Sequence, residues 1–198
     1  MQTQHQSKTR ILDAALHVFR SKGYAGSTID DVCVEAHLTK GSFFHHFKTK
    51  EELALAAAQH FSDGADALFS HAPYIDLPDP RDRLLAYVDF RIAILKGDLR
   101  DFTCLLGTLV QETYETHPAI RTACEHHLSS HVDMLARDIA AAKARYAPDT
   151  EWTPESLGFH IQATIQGAFI LAKAKNGADV AVQCLAHLRR YVELLFVR

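Results

Sequence analysis

The chain has 198 residues, of which 47% are hydrophobic, and a formal net charge of −3; that length and apolar content suffice for one or two domains without covalent staples. Its four cysteines, Cys33, Cys104, Cys124 and Cys184, are far apart with no CxxC pair, which excludes a disulfide framework. With a polar start over Met1–Gln6 and no apolar run that reaches the ~18–20 residues of a membrane span, no secretory leader is expected, and a cytoplasmic chain with reduced thiols and no membrane partner is the expectation.

Apolar residues recur at three- and four-residue spacing almost throughout, without β-branched alternation, which predicts an all-α fold of about nine helices. A first helix is carried by Ile11, Leu12, Ala15, Leu16, Val18 and Phe19 and stops at Lys22-Gly23. A short second helix starts at Ser27/Thr28, with Asp30 and Asp31 at the positive end of its dipole. Thr39 caps a third that ends near Phe47. Thr49 and Glu52 read as a capping box opening a long fourth helix through Leu53, Phe61, Leu68 and Phe69. Three prolines in Pro73–Pro80 break the chain, and Asp79-Pro80 restarts it with a stripe from Leu84 to Leu95 ended by Gly97-Asp98. An apolar segment spans Phe102 to Tyr114, Pro118 opens a helix carrying Leu128, Val132, Leu135 and Ile139, and two last helices begin at Thr153-Pro154-Glu155 and after Asn176-Gly177. Two domains are expected, 1–52 and 53–198.

Residues 27–47 form two short helices with a tight connection around His37-Leu38, the geometry of a DNA-reading helix-turn-helix. Phe43 and Phe47 lie four apart and anchor one face of the second helix. Lys40, Phe44 and His45 then point outward, with Ser42 and His46 at the flanks. Gly41 removes a side chain where backbone must approach a phosphate or base edge. An exposed Phe44 needs a cover, which a thymine methyl or a sugar supplies. Thr39 offers a hydroxyl where helix N–H groups suit a phosphate. Charge permits this reading: residues 1–52 hold seven Lys/Arg against six Asp/Glu, while residues 53–198 hold fourteen against eighteen, leaving the N-terminal face to approach a polyanion.

The stretch Ile11 to Leu53 resembles the DNA-binding domain of the tetracycline-repressor (TetR) family, whose run of Lys-Gly, small hydroxyl, apolar, aromatic, His, aromatic or His, and Phe maps without gaps onto Lys40 to Phe47. The resemblance implies DNA contacts from Thr28, Thr39, Lys40, Ser42, Phe44, His45 and Lys50, a palindromic double-stranded operator, homodimerisation, and an inducer pocket in the body. One position departs from the pattern. His37 stands where the family usually has glycine, so it must either adopt a left-handed conformation or alter the turn.

In the body, aromatic walls with few polar groups suggest a small-molecule pocket built from Phe61, Phe69, Tyr87, Phe90 and Arg91, joined by Met134, Trp152, Phe159, His160 and Gln162. Arg91 and His160 are the more telling, because a buried charge or imidazole needs a partner. The last two helices carry Ile161, Ile165, Gly167, Ala168, Leu185, Leu188 and Val192, and their small residues would let helices of two subunits approach closely in a dimer. Cys124, His127 and His131 fall at i, i+3 and i+7 and could grip a metal, but no nearby carboxylate completes the set, so neither metal nor cofactor is expected. Cys104 follows Arg100-Asp101 in an apolar segment, where a buried inert thiol is favoured over an electrophile sensor.

With no glycine-rich loop, HExxH or nucleophile elbow, an enzyme is disfavoured. A plain protein-interaction bundle would show no salt-dependent DNA binding. The expected function is a homodimeric repressor released by an inducer; activation in place of repression is not distinguished by sequence.

Overall fold

A computed structural model describes residues 2–196; Met1, Val197 and Arg198, within the expected domain bounds, lie outside the described residues. Among the described residues there are ten helices and no strand: α1 (Gln2–Lys22), α2 (Ile29–Glu35), α3 (Lys40–His46), α4 (Lys50–Ser70), α5 (Pro80–Ala93), α6 (Leu99–Phe102), α7 (Leu105–Thr113), α8 (Pro118–Tyr146), α9 (Pro154–Lys175) and α10 (Asp179–Leu195). The fold is therefore all-α. The helix beyond the expected nine or so is the single turn α6, too short to display a period. α1 runs back to Gln2, well before its first apolar residue Ile11. No helix of the described residues is long and apolar enough to cross a membrane.

Helix ends follow local chemistry. Thr28 caps α2 in a reciprocal box with Asp31, and Thr39 caps α3 by accepting the Ser42 N–H. At α4 the box is shifted: the Thr49 hydroxyl accepts the Glu52 N–H at 3.0 Å, while the Glu52 carboxylate accepts the N–H of Lys48, not of Thr49, at 2.8 Å. Asp79 caps α5 ahead of Pro80, and Thr153 caps α9 ahead of Pro154.

The chain divides into two compact units, neither ending at residue 52. The first comprises residues 1–67 and 103–127, so it unites α1–α3 and most of α4 with α7 and the start of α8. Ile11, Ala15, Phe19, Val32, Phe43, Phe47, Leu53 and Ala57 are its buried apolar centre; burying each large side chain contributes roughly 1.5–3 kcal/mol. Polar ties that no local pattern announces attach α7. The Arg20 guanidinium donates to the Thr103 carbonyl at 3.2 Å and the Glu112 carboxylate accepts the Ala25 N–H at 2.8 Å. Gly23, in the left-handed region at φ 76°, is pressed so closely by Glu112 that a Cβ would collide with it.

The second unit comprises residues 68–102 and 128–198. In it α10 packs on both α9 and α5, around Leu84, Val88, Ile161, Ile165, Leu185, Leu188 and Val192. Gly158 brings α9 close to α8, since a Cβ there would meet Val132 Cγ1 at 2.9 Å. Asp79 also receives the Tyr146 hydroxyl and Arg145 Nη1, the latter at 3.0 Å. The Tyr146 hydrogen bond, first among these contacts, holds the Asp79 carboxyl below its ordinary range.

The turn between α2 and α3 resolves the one departure from the family pattern. His37 adopts φ 51°. Its N–H donates to the Val34 carbonyl at 3.0 Å and the Leu38 N–H to the Cys33 carbonyl at 2.9 Å, a Schellman closure with histidine at the usual glycine position. Arg10 of α1 locks it by donating to the carbonyls of Ala36 at 2.6 Å and His37 at 3.2 Å. Because only the side chain is strained, His37→Gly is expected to raise the free energy of unfolding by about 1 kcal/mol, and the β-branched His37→Val to lower it by at least as much. Urea unfolding followed by circular dichroism measures both, and no difference between the two variants would remove the strain.

Candidate functional site

Helix α3 carries only seven residues, so its side chains divide cleanly between an anchored and a free face. Phe43 and Phe47 are fully enclosed, with ring centroids 5.8 Å apart. On the other side Lys40, Gly41, Phe44 and His45 are exposed and Ser42 is half-buried. The Phe44 ring stands edge-on to Phe43 at 5.3 Å and leaves 53% of the residue open to solvent. Gly41 has no neighbour but the Thr39 hydroxyl within 4 Å of a Cβ position, so its face is open to a close approach.

The charged groups are held in different ways. Lys40 Nζ pairs with Asp30 Oδ1 of α2 at 2.8 Å, an exposed contact that raises the lysine pKa and that water or a phosphate can exchange. Thr28 lies exposed at the head of α2, but its hydroxyl donates to Asp31 Oδ2 at 2.9 Å while accepting the Asp31 N–H at 3.1 Å. The Lys22 ammonium hydrogen-bonded to Asp31, with Thr28 next, lowers that carboxyl to about 2. His46 turns back to α1, its Nε2 2.7 Å from Ser7 Oγ, and burial lowers its pKa so that it stays neutral.

Lys50 corrects an expectation. Rather than reaching outward, its ammonium donates to the carbonyls of Tyr24 at 2.8 Å and Ser27 at 3.0 Å, 4.3 Å from the Tyr24 ring centroid. Two of its three donors thus hold the first turn of α4 to the α1–α2 connection. No signal in the sequence marked Arg10, whose role is visible only once α1 lies beside the turn.

Of the ten residues expected to line a pocket, four converge in the second unit. Arg91 Cζ lies 5.2 Å from the Phe69 ring centroid and 6.0 Å from that of Tyr87, and Phe90 meets Phe69 at 6.0 Å. Tyr74, His131 and Phe169, which the reading did not assign to a pocket, complete the cluster. Gln162 is buried on α9 seven residues before Phe169, on the same face, and Met134 is half-buried on α8. The remaining four are placed elsewhere. Phe61 belongs to the first unit, against Arg20 at 5.7 Å. Trp152 meets Phe196 at 5.7 Å and takes a Lys143 hydrogen bond on its carbonyl. Phe159 and His160 are exposed on the outside of α9, where His160 stacks with Tyr191 at 5.0 Å. Periodicity marked them as one side of a helix without saying which side is covered.

The expected dimer residues need the same correction. Ile161, Ile165, Ala168, Leu185, Leu188 and Val192 are buried within their own chain, because α10 takes that stripe against α9 and α5. Gly167 alone of the set faces outward, with nothing within 4 Å of a Cβ position. Cys124 is fully buried, and burial pushes its thiol up to about 12; His131 accepts or donates a hydrogen bond at 2.9 Å with the Tyr87 hydroxyl. Among the described residues no three His, Cys, Asp or Glu side chains are placed to hold a metal. Cys104 is half-buried at the start of α7 and makes no side-chain cap.

Two family models match the chain: one described as bacterial regulatory proteins of the tetR family over residues 11–57, and one described as the tetracyclin repressor-like C-terminal domain over residues 80–188. The HTH-type transcriptional repressor DhaR of Mycobacterium sp. (strain GP1) is 26% identical over 90% of this chain and 88% of its own. The HTH-type transcriptional repressor NemR of Escherichia coli K12 is 20% identical over 96% of each chain. Among solved structures, a TetR transcriptional regulator from Chloroflexus aurantiacus superposes with a TM-score of 0.84 at 24% identity, covering 97% of this chain and 96% of that one. Reduced E. coli NemR gives 0.80 at 19% identity, with 98% of each covered. These structural likenesses concern the fold.

The exposed face of α3 generates a direct test. Lys40→Ala combined with His45→Ala removes two outward groups without touching the Phe43/Phe47 anchor, so affinity for operator DNA is expected to fall by about a hundredfold or more. Fluorescence anisotropy reads the affinity and a thermal melt the fold; unchanged binding with an unchanged melt would remove both residues from the interface.

Proposed function

The chain belongs to the tetracycline-repressor (TetR) family of DNA-binding transcriptional regulators, and on that premise we propose that it is a homodimeric repressor released from a palindromic operator by a small molecule. The observation that carries the DNA part is the division of α3, in which two buried phenylalanines hold the helix while Lys40, Phe44 and His45 are exposed to solvent. The Thr39 hydroxyl serves a phosphate, Lys40 and His45 read base edges with Ser42 beside them, Phe44 covers a thymine methyl or sugar, and Gly41 admits the backbone. Two recognition helices reading successive major grooves about 34 Å apart require a dimer. Cytoplasmic residence accords with this role.

The face that supports dimerisation is the outer side of α9 and α10. On α9 it carries Ala163, Gly167, Ile170, Leu171 and Ala174, and on α10 Val182, Ala186, Tyr191 and Leu194, the last with 65% of its surface open. Apolar residues this exposed on two neighbouring helices call for a cover, and the small residues between them admit a facing helix. Gly167→Glu fits the single chain, whose Gly167 faces open space, and introduces a charge into the dimer seam. Light scattering is expected to find monomers that bind operator poorly. A stable dimer would move the interface elsewhere.

Release is proposed to run through α4. This helix opens three residues after Phe47 in the first unit, and its last residues, Leu68 to Ser70, belong to the second, so the chain passes from one unit to the other within α4. A ligand that displaces it by a few ångström breaks simultaneous engagement of two grooves and forfeits bivalent binding. By linkage, the ligand must bind free protein more tightly than the operator complex by the same factor. Calorimetry of an identified inducer with and without saturating operator measures that factor, and equal affinities would sink the inducer reading.

A further inference from the structure

The aromatic cluster of the second unit surrounds a cation that has no anion. Arg91 on α5 lies among the rings of Phe69, Tyr87 and Phe169, at 5.2, 6.0 and 5.8 Å from their centroids, and its buried Nε–H meets no acceptor. No carboxylate pairs with it among the described residues. The acid that bears on Tyr74, Asp138, is taken by Arg83 at 2.7 Å. Ring faces offset part of the desolvation of a guanidinium, but they do not replace an oxygen acceptor along Nε–H.

A second orphan sits in the same cluster. The Tyr74 hydroxyl is buried, with 5% of the residue exposed, and has no partner. Its ring stands edge-on to Tyr87 and against Phe90, each at 5.8 Å. Burial raises the Tyr74 pKa, so the group stays protonated and is available as a donor. The Tyr87 hydroxyl is already committed, to His131 Nε2 at 2.9 Å and to a side-chain hydrogen bond from Arg91 that leaves Nε–H without an acceptor. Burial first, and Arg91 second, lower His131 to about 3, so it adds no second positive charge. The unsatisfied groups are thus two donors and one charge, enclosed by aromatic walls.

We propose that this cluster binds a carboxylate with an apolar or aromatic body, its oxygens accepting from the Arg91 guanidinium and the Tyr74 hydroxyl and its body lying among Phe69, Phe90 and Phe169. The proposal deepens the small-molecule reading given above and rests on it. A carboxylate matches the planar fork of a guanidinium and carries the single charge present. A phosphate dianion would need a second cation, which His131 does not supply.

The test uses the full-length protein without DNA and matched probes: benzoate, 4-phenylbutyrate and octanoate, each against its primary amide, by calorimetry and thermal shift. At least one acid is expected to bind about tenfold or more tighter than its amide, and Arg91→Gln to bring acid and amide level. Arg91→Lys, which keeps the charge and loses the fork, is expected to bind in between, and Tyr74→Phe to weaken the acid several-fold while keeping its preference over the amide. Circular dichroism establishes that each variant is folded. Equal binding of every acid and amide, no binding of any acid at about 10 mM, or undiminished acid binding in folded Arg91→Gln or Tyr74→Phe each overturns the proposal. Operator titration separates this from the inducer reading. Acids that bind at Arg91 without changing operator affinity leave the anion site standing and remove the inducer role, whereas release by amides alone does the reverse.

Discussion

The proposed interface with DNA depends on burial of two phenylalanines. Phe43 and Phe47, one helical turn apart, place one side of α3 against the rest of the first unit. A seven-residue helix has too little backbone hydrogen bonding to persist alone, so its existence and its rotation about its own axis are both set by that burial. Because the anchor fixes rotation, every other side chain on α3 has its direction decided. The turn before it fixes where the helix begins. There a histidine accepts left-handed geometry and Arg10 ties the two carbonyls that the turn leaves exposed.

Around this centre the first unit uses charge for fastening rather than for display. Lys50, Arg20 and Glu112 each spend side-chain capacity on backbone groups of a neighbouring segment. Such bonds satisfy carbonyls and N–H groups that helix ends leave open, and they do so in a fixed geometry. The consequence is that α7, 83 residues along the chain from the end of α1, belongs to the same compact unit as the helix-turn-helix. A cation count for residues 1–52 therefore overstates what can reach a phosphate.

The second unit solves a different problem. Its apolar stripes on α9 and α10 are consumed internally against each other and α5, which leaves a second, less regular apolar face outside. Its aromatic residues meet around Arg91 and not around a purely apolar centre. A guanidinium lodged among rings without a counter-ion is a poor device for stability, since ion burial is repaid only by good partners. Its presence is better understood as capacity held for a ligand.

The all-α class, the positions of most of the helix starts and the location of the helix-turn-helix were legible in the sequence, because caps, prolines and three-to-four spacing act over a few residues and every one of them is local; the starts of α1 and α6, which carry no such local mark, were not. The anchor of α3 was legible for the same reason: Phe43 and Phe47 need only each other's spacing to define a face. Tertiary structure alone decided that Lys50 turns inward, that Phe61 and Trp152 stand with other partners, and that Ile161 to Val192 form the chain's own core while Gly167 and Leu194 look outward. Periodicity declares that one side of a helix is covered. It carries no information on what covers it, since that depends on segments tens of residues away meeting in space, as Phe69, Arg91, His131 and Phe169 do.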